Sequence, residues 1–508
     1  MRLTRIATAI LCLMTLTFAS AHTQQPTPLS DADLRSRLET YMAEREGAGF
    51  SGPVLVARGG AILLQRGYGF LDAGKTRPVT ADSVFTTGSI TKQFTAAAIL
   101  KLEMQGQLKT DDLMARYLSG VPDDKRAITL HQLLTHTAGF APAIGDDLDP
   151  VGRDAFVKLV LSRPLARAPG RYDYSNVGYS LLAAIVEIVS GSGYETVVAD
   201  QLLVPAGMRD TGYSRPKWAV ARLAHAIGDD GRDRGTFGET AMPNGTPGWH
   251  LLGNGGILST VGDMYRWHVA LKGDTILNAA AKEKLFHPWA DEGGGSFYGY
   301  GWSIEDTPFG KLVAHNGGNP YFFSDFLRYV DRDVVVYISS NSRDRSMRQL
   351  AQPLAQIALT GAVVDRSRPT FTAVAAASAP APDGSASARW RLPAGSAAAA
   401  AARLLDAIHE TDEARLRGLV PEVFAASLRG RRSVDELVQL FRRMAGDFGG
   451  ALVTGFEEAR DGTGAATAVR LRLTRQGRPP AVVTLTLEPP AAAGTVPRVA
   501  GIELQMGD

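Results

Sequence analysis

The chain has 508 residues, of which 45% are hydrophobic, and both values suit a folded protein of two or three domains. Its formal net charge is only +2, and no block of like charges interrupts the mixture of basic and acidic residues. This balance argues against a nucleic acid or another polyanion as a partner.

The N-terminus has the pattern of a signal peptide. Two arginines precede an apolar run over residues 6–19, and Ala19-Ser-Ala21 is a small-x-small cleavage pattern. We expect residues 1–21 to be removed after Ala21 and the mature protein to be periplasmic or secreted, the alternative being an uncleaved anchor. No later stretch reaches the roughly 20 apolar residues of a membrane span. The only cysteine, Cys12, lies inside this segment, which leaves the mature chain without disulfides or thiolate metal ligands.

Predicted strands open and close the part between residues 22 and 362. Val54–Ala57 and Ile62–Tyr68 flank the turn Arg58-Gly-Gly60 and predict a hairpin. Helical spacing starts at Ser89 and recurs at Asp154–Leu161 and Tyr179–Ser190. Strand patterns then return at Lys311–Ala314, Phe326–Val330 and Val334–Ser339. We expect one antiparallel sheet made from both ends of this part, with a helical region inserted between them.

The composition changes after this part. Residues 363–398 are rich in Ala, Pro, Ser and Gly and predict a linker, and residues 399–508 predict a small α+β domain whose role the sequence does not reveal. Its helices are predicted at Arg403–Leu419 and Val434–Met444. Three predicted strands place apolar residues on one face, with a turn at Gln476-Gly477 between the first two: Val469, Leu471 and Leu473; Val483, Leu485 and Leu487; Ile502, Leu504 and Met506.

The most informative motif is Ser89-Ile-Thr-Lys92. On a helix, a Ser three residues before a Lys lies on the same face, so that the amine can take the hydroxyl proton and activate the Ser as a nucleophile. This role requires a lowered pKa for Lys92, which is otherwise an exposed helix lysine. Ser214-Arg-Pro-Lys217 has the same spacing, but its glycine and proline neighbours predict a loop. We therefore assign the chemistry to the first copy.

Two further motifs each occur once. Tyr174-Ser-Asn176 supplies a hydroxyl that can move a proton if a nearby cation favours its phenolate, and an amide that can bind substrate or position Lys92. The alternatives are a core aromatic and a turn residue. His315-Asn-Gly317 places a histidine at the end of a strand and two glycines, Gly317 and Gly318, where the backbone can approach a substrate closely. A surface histidine and a strand bend are the alternatives here.

Together the three motifs resemble those of the serine β-lactamase and penicillin-binding protein superfamily. Tyr174-Ser-Asn176 is similar to the branch of class C β-lactamases, D-Ala-D-Ala carboxypeptidases, D-aminopeptidases and esterases. Further stretches match that branch, namely Phe85–Phe94, Leu133–Gly139, Gly255–Thr260 and Tyr298–Trp302. The resemblance covers about residues 30–360. It implies an α/β (α+β) β-lactamase/transpeptidase-like fold with the site in the cleft between sheet and helical region.

The resemblance also implies roles for single residues. Ser89 would be the nucleophile, Lys92 the base and Tyr174 a proton carrier, while Asn176, His315 and Gly317 would bind substrate. By analogy with the family, the amides of Ser89 and Gly318 would form the oxyanion hole. Many relatives carry Lys where this chain has His315, which is only partly charged near pH 7 and therefore a weaker anchor for a substrate carboxylate. This departure lowers the expectation of efficient β-lactam hydrolysis.

Other aromatic and histidine residues are interpreted as structural. We expect the aromatic residues of Tyr298–Trp302 and Tyr321–Phe323 to be mainly core, although they could line an acyl pocket. His131 and His136 have no third partner at metal-site spacing and are expected to cap or pack a helix. We expect no metal and no cofactor.

Three functions remain open on the sequence alone. The first is a secreted serine hydrolase acting on esters, small amides or D-amino-acid peptides. The second is a penicillin-binding D,D-carboxypeptidase or β-lactamase with slow turnover. The third is a non-enzymatic binding or sensor protein on the same fold, against which the joint presence of Ser89 and Lys92 argues. The expected partner is a small-molecule ester, amide or peptide substrate, and the oligomeric state is open.

Overall fold

The computed structural model describes residues 29–506 apart from 148, 229, 243–244, 246, 294, 343–349, 363–371, 374–389, 391, 394, 430–432, 449–451, 461–464, 475–480 and 489–494. The predicted signal peptide, most of the predicted linker and the predicted turn at Gln476-Gly477 lie outside the described residues. The side chains of Leu504 and Met506 lie outside them as well. The domain boundaries themselves remain predictions.

The secondary structure alternates short strands and helices along the chain. The strands are β1 (Gly52–Arg58), β2 (Ala61–Tyr68), β3 (Phe85–Thr86), β4 (His225–Ile227), β5 (Asp233–Thr236), β6 (Leu258–Ser259), β7 (Ala290–Gly293), β8 (Ser296–Tyr298), β9 (Ser303–Thr307), β10 (Gly310–Gly318), β11 (Phe323–Tyr329), β12 (Val334–Ser340), β13 (Thr372–Ala373), β14 (Leu452–Arg460), β15 (Ala466–Thr474), β16 (Ala481–Glu488) and β17 (Arg498–Met506). The helices up to residue 360 are α1 (Asp31–Gly47), α2 (Thr91–Met104), α3 (Leu130–Leu134), α4 (Arg153–Ser162), α5 (Asn176–Ser190), α6 (Tyr194–Val198), α7 (Phe237–Ala241), α8 (Val261–Lys272), α9 (Ala279–Leu285) and α10 (Ala351–Thr360).

An eight-stranded antiparallel sheet has the order β2-β1-β12-β11-β10-β9-β8-β7. The hairpin β1–β2 pairs through β1 with β12, with Val54 opposite Ile338, so the two ends of this part of the chain meet inside one sheet. The helices α2 to α9 lie between them in sequence. The prediction of a sheet from both ends with an inserted helical region is therefore confirmed.

Helices cover both faces of this sheet. On one face, α1 and α10 pack against alternate strand residues such as Val54, Val336 and Ile338. On the other face, the inserted helices pack against the opposite set, including Val335 and Tyr337. Because both faces are covered, β12 is buried along its whole length, and its continuous apolar sequence follows from that burial.

Helix α2 starts differently from the prediction. A 3₁₀ turn over Gly88–Ile90 contains Ser89, and the α-helix begins only at Thr91. Gly88 has a φ of +54°, and a Cβ there would lie 2.6 Å from the amide nitrogen of Gly318. Glycine is therefore required where this turn meets the end of β10, and the turn displaces the helix start by two residues.

A second, five-stranded antiparallel sheet has the order β13-β14-β15-β16-β17 and lies between residues 372 and 506. Apolar residues of β15 and β16 pack on helices in a separate core, as predicted for Val469, Leu471, Leu473, Val483, Leu485 and Leu487. The predicted helix Arg403–Leu419 is wrong: two helices, Ser396–Ala407 and Glu413–Val423, replace it. Asp412 marks the start of the second helix, because its side chain accepts from the Arg415 backbone amide and caps that helix.

Two details bear on the predicted linker. Strand β13 lies within residues 363–398 and pairs with β14, and the helix Ser396–Ala407 also begins within these residues.

Among the described residues, no single helix has both the length and the apolar composition to cross a membrane. Helix α5 and the bent continuation Tyr194–Leu203 meet those limits only when counted together across an angle of 81°.

Candidate active site

Ser89 and Lys92 meet at the start of α2 as their spacing predicts. The Nζ atom of Lys92 lies 3.1 Å from the Oγ atom of Ser89. Lys92 has no exposed surface, since the helices and strands around it close over its whole side chain. The two residues are therefore in direct hydrogen-bonding contact, with the Lys92 amine closed to bulk water and Ser89 partly exposed.

Two carbonyl oxygens hold the other side of the Lys92 amine. Nζ donates to Oδ1 of Asn176 at 2.7 Å and to the backbone oxygen of Asn254 at 2.8 Å. Burial lowers the pKa of Lys92 well below its ordinary value of 10.5, while Asp147 acts weakly in the opposite direction. A neutral amine has two N–H groups and one lone pair. The two carbonyls take both N–H groups, which leaves the lone pair to accept the Ser89 hydroxyl proton.

This burial predicts a pH-dependent effect of Lys92→Met on stability. The unfolded chain binds a proton on Lys92 below pH 10.5 while the folded chain excludes it, so wild type loses stability as pH falls from 10.5 and the variant does not. The free energy of unfolding of Lys92→Met minus that of wild type should thus decrease with rising pH, by up to about 1.4 kcal/mol per pH unit. Denaturant unfolding from pH 7 to 10 measures this slope. The exposed Lys217→Met is the control, and a pH-independent difference for Lys92→Met would contradict a neutral buried lysine.

Tyr174 lies against the same pair. Its ring centroid is 4.9 Å from the Lys92 Nζ atom, and its hydroxyl is hydrogen-bonded to Ser89. Burial raises the pKa of Tyr174 above its ordinary value of 10, and the bond to Ser89 offsets only part of this. The phenolate considered from the sequence is therefore disfavoured, because burial penalises the charged form of Tyr174. Tyr174 instead has a protonated hydroxyl beside Ser89.

The start of helix α5 positions Tyr174 and Asn176. Ser175 caps the helix by accepting from the Gly178 amide, so the chain is extended before Ser175 and helical after it. Asn176 is the first helical residue, and its backbone N–H donates to the Pro142 carbonyl at 2.9 Å. The predicted helix from Tyr179 thus begins three residues earlier than expected, and its cap directs Asn176 to Lys92.

Strand β10 forms the opposite wall and contains His315. The Nε2 atom of His315 lies 2.9 Å from the Tyr298 hydroxyl, and its Nδ1 atom contacts the Asn316 carbonyl. Burial lowers the pKa of His315 to about 3. The partial charge expected from the sequence is absent for this reason, and His315 is a neutral hydrogen-bonding group in the wall.

A neutral His315 is directly measurable. In wild type with ¹⁵N-labelled imidazoles, the His315 signal, identified by its absence in His315→Asn, should keep the chemical shifts of a neutral ring from pH 8 down to pH 5. A titration midpoint between pH 6 and 7 would show instead that the ring carries the partial charge expected of an exposed histidine.

Gly317 and Gly318 bring β10 against the Ser89 turn. A Cβ on Gly317 would lie 2.0 Å from the Thr87 carbonyl oxygen and 2.7 Å from the Ser89 amide nitrogen, so only glycine fits. This contact places the end of β10 beside the Ser89 backbone. The amides of Ser89 and Gly318, which the resemblance assigns to an oxyanion hole, therefore belong to adjoining segments.

The sequence analysis missed Asn254, which lies just before the matching stretch Gly255–Thr260. Asn254 is buried, and its Nδ2 atom donates to Ser180 Oγ at 2.9 Å and to the His250 carbonyl at 2.7 Å. These bonds fix the backbone carbonyl that accepts from Lys92. No local pattern marks a residue that acts through its backbone oxygen.

The remaining candidates lie as expected or outside the site. Tyr298, Tyr300 and Trp302 are buried, as predicted for core residues. In the second Ser-x-x-Lys copy, the Ser214 hydroxyl donates to Glu195 at 2.6 Å and Lys217 is exposed in a loop. Within the described residues, no three His, Cys, Asp or Glu side chains come together in an arrangement that could hold a metal ion.

Comparison with known proteins places this geometry in a family. A family model described as Beta-lactamase matches residues 34–360. Penicillin-binding protein 4* of Bacillus subtilis (strain 168) is 30% identical over 62% of this chain and 74% of its own length. D-alanyl-D-alanine-carboxypeptidase/endopeptidase AmpH of Escherichia coli (strain K12) is 32% identical over 53% and 69%, respectively. Esterase EstB of Burkholderia gladioli is 26% identical over 57% and 85%.

Solved structures agree with the family. A penicillin-binding protein from Bacillus halodurans aligns with a TM-score of 0.54 and 26% identity, over 63% of this chain and 98% of its own. An octameric penicillin-binding protein homologue from Pyrococcus abyssi aligns with a TM-score of 0.57 over 93% of this chain and 98% of its own. At 20% identity, the second alignment shows a shared fold alone. The chain belongs to the beta-lactamase family and is a serine hydrolase.

Proposed function

We propose that the enzyme forms an acyl-enzyme on Ser89 and cleaves esters or small amides, including D-amino-acid peptides. The observation that carries this proposal is the buried Lys92 amine. Its Nζ atom lies 3.1 Å from the Ser89 hydroxyl oxygen and donates to two carbonyl oxygens. A lysine in this position can accept a proton at neutral pH, and a serine hydroxyl needs such a base to act as a nucleophile.

In the proposed reaction, Ser89 Oγ bonds to the substrate carbonyl carbon while its proton moves to Lys92 Nζ. Backbone N–H groups of Ser89 and Gly318 bind the oxyanion that develops. The bond to the leaving group then breaks, and the proton returns from Lys92 to that group, with the Tyr174 hydroxyl able to relay it. Water attacks the ester on Ser89 in the second half, which releases the acid and restores the serine.

The relatives and His315 support the proposed substrate class. The relatives named above include a D-Ala-D-Ala carboxypeptidase and an esterase. A neutral His315 offers a hydrogen bond but no fixed positive charge to a substrate carboxylate. We therefore propose that neutral acyl esters are cleaved more efficiently than β-lactams, whose carboxylate gains less here than from a lysine. D-amino-acid peptides are included because a relative is a D-alanyl-D-alanine carboxypeptidase.

A second candidate is a penicillin-binding protein with slow turnover. The matches to penicillin-binding proteins from two Bacillus species favour it. On this alternative, Ser89 is acylated by a penicillin as quickly as by an ester, but the adduct persists.

For the location, we propose that residues 1–21 act as a signal peptide and that the mature enzyme is periplasmic or secreted. The arginine-flanked apolar run and the Ala19-Ser-Ala21 pattern support this proposal. N-terminal sequencing of the protein from culture fractions should give His22 as the first residue. A chain that starts at Met1 in the cytoplasmic fraction would contradict it.

The proposed function is tested with a substrate panel. The mature protein and Ser89→Ala are compared on a short-chain p-nitrophenyl ester, on an N-acylated peptide ending in D-Ala-D-Ala, on its L-Ala-L-Ala counterpart and on a chromogenic cephalosporin. We expect the wild type alone to cleave the ester and the D-peptide. Burst release followed by a stable penicillin adduct would favour the second candidate, and equal activity of Ser89→Ala would overturn both.

A further inference from the structure

His136 is a buried histidine to which the proposed reaction gives no part. It follows α3, is 2% exposed and has a backbone φ of +57°. A histidine in this left-handed region is uncommon and persists only where surrounding contacts maintain it. The contacts of this residue therefore indicate what the conformation serves.

The first contacts reach the Tyr174-Ser-Asn176 segment. The Nδ1 atom of His136 accepts from the Ser175 amide at 3.1 Å, and the His136 carbonyl accepts from the Asp173 amide at 2.8 Å. The imidazole ring also packs on the Tyr174 ring, with centroids 4.3 Å apart. One residue thus holds residues 173–175 by two hydrogen bonds from backbone amides and one ring contact.

The same ring reaches the opposite wall of the cleft. The His136 and Tyr298 ring centroids are 4.6 Å apart, and the Tyr298 hydroxyl is bonded to His315 on β10. The contact with Tyr174 lies on one wall and the contact with Tyr298 on the other. The ring therefore lies between Tyr174 on one wall and Tyr298 on the other.

The hydrogen bond also determines the state of the ring. An Nδ1 atom that accepts from an amide is unprotonated, so a neutral ring has its proton on Nε2, which makes no hydrogen bond with any described residue. Burial lowers the pKa of His136 well below 6.5, which keeps the ring neutral. The bond to the Ser175 amide is thus the one hydrogen bond of this ring within the described part of the chain.

We propose that His136 is a positioning residue of the active site. By accepting from the Ser175 amide, it holds Tyr174 and Asn176, the residues on either side, at their distances from Ser89 and Lys92. This inference rests on the proposed function, since it assigns no chemistry of its own to His136. It implies that loss of the acceptor slows acylation more than it weakens substrate binding.

Two substitutions separate the hydrogen bond from the backbone conformation. In His136→Asn, Oδ1 can take the place of the Nδ1 acceptor, and asparagine tolerates a positive φ. In His136→Gly, the backbone is equally free, but no acceptor remains for Ser175. His131→Asn is the matched control, because His131 lies five residues earlier, bonds the Tyr300 hydroxyl at 2.7 Å and makes no hydrogen bond or ring contact with Tyr174 or Ser175.

The measurement is kcat and KM for a p-nitrophenyl ester, with the melting temperature of each variant and mass detection of the adduct on Ser89. We expect His136→Gly to lose about 100-fold in kcat with KM changed less than about threefold, because a small displacement of reacting groups has effects of this size. His136→Asn should stay within about tenfold of wild type, and His131→Asn should match wild type in kcat.

Each outcome decides between the alternatives. A His136→Gly variant with the kcat of wild type overturns the inference. A folded His136→Asn variant that loses about 100-fold in kcat, the loss expected for His136→Gly, overturns it as well. If the glycine variant does not fold, the asparagine variant alone decides by the same limit. If wild type itself forms no adduct on Ser89, the proposed function fails first, so that the two failures are distinguishable.

Discussion

Lys92→Ala should reduce kcat/KM for a short-chain p-nitrophenyl ester by about 1,000-fold or more, and Ser89→Ala should reduce it to a similar level. The reason is geometric: Lys92 Nζ is the basic group in contact with the Ser89 hydroxyl, and its burial lowers its pKa well below 10.5. Without the Lys92 amine, the Ser89 hydroxyl loses its base. The Asn176 side-chain oxygen and the Asn254 carbonyl also lose their hydrogen-bond donor.

The double variant gives a further expectation. Because Ser89 and Lys92 act as one unit, removal of both should lower kcat/KM no further than removal of either alone, within about threefold. Steady-state kinetics on purified variants measures this. Additive losses would mean that the two residues act independently and would contradict a shared proton transfer.

The chain contains its own control for these variants. Ser214 and Lys217 have the same spacing, but Ser214 is bonded to Glu195 and Lys217 points to solvent from a loop. Ser214→Ala and Lys217→Ala should therefore retain kcat/KM within about twofold, because neither side chain is bonded to Ser89 or Lys92. If a variant of the second copy lost activity as Lys92→Ala is expected to, the assignment of the site would be wrong.

Gly317→Ala should have the second largest effect, with a loss of about 100-fold or more in kcat and a lower melting temperature. The added methyl group would lie 2.0 Å from the Thr87 carbonyl oxygen and 2.7 Å from the Ser89 amide nitrogen. Both are backbone atoms, which cannot rotate away. Strand β10 must therefore move from the Ser89 turn, which separates the two amides of the proposed oxyanion hole.

Gly318→Ala is the matched control for this prediction. A Cβ on Gly318 would meet its nearest neighbours, the Phe322 carbonyl oxygen and the Phe323 ring, at an ordinary 3.6 Å. The variant keeps the Gly318 amide, so its kcat should stay within about tenfold of wild type and its melting temperature should change little. Equal losses in both variants would indicate that side-chain volume anywhere on this strand end is harmful, which would contradict the specific contact with Thr87 and Ser89.

Much of the site is predictable because its chemistry is encoded in local spacing. The i,i+3 relation of Ser89 and Lys92 holds in any helical start, and it survives the replacement of the first helical turn by a 3₁₀ turn. Strand patterns and the turn at Arg58-Gly-Gly60 likewise predict β1 and β2, and the presence of strands at both ends of residues 22–362 predicts that these ends meet in one sheet.

Other features depend on contacts between distant segments and leave no local signal. Asn254 acts through a backbone oxygen, and the acceptor role of His136 depends on the position of Ser175 in the fold. The charge of His315 likewise has no local signal, because a histidine at the end of a strand has the same sequence pattern whether it is exposed or buried against Tyr298. Burial, which decides each of these states, results from the packing of the whole domain.

The break between the helices Ser396–Ala407 and Glu413–Val423 was missed for a different reason. The apolar spacing continues through residues 403–419, so a search for period alone joins the two helices. The Asp412 cap is the local signal that marks the break. Caps therefore separate consecutive helices that periodicity merges.

The central claim is that Ser89 becomes covalently acylated with Lys92 as its base. The most direct measurement is the mass of the intact protein after brief incubation with a p-nitrophenyl ester and, separately, with a penicillin, followed by peptide mapping of the adduct. We expect one acyl group on the peptide that contains Ser89 in wild type, and none in Ser89→Ala or Lys92→Ala within the same time. An adduct on another residue, or unimpaired acylation in Lys92→Ala, would contradict the account.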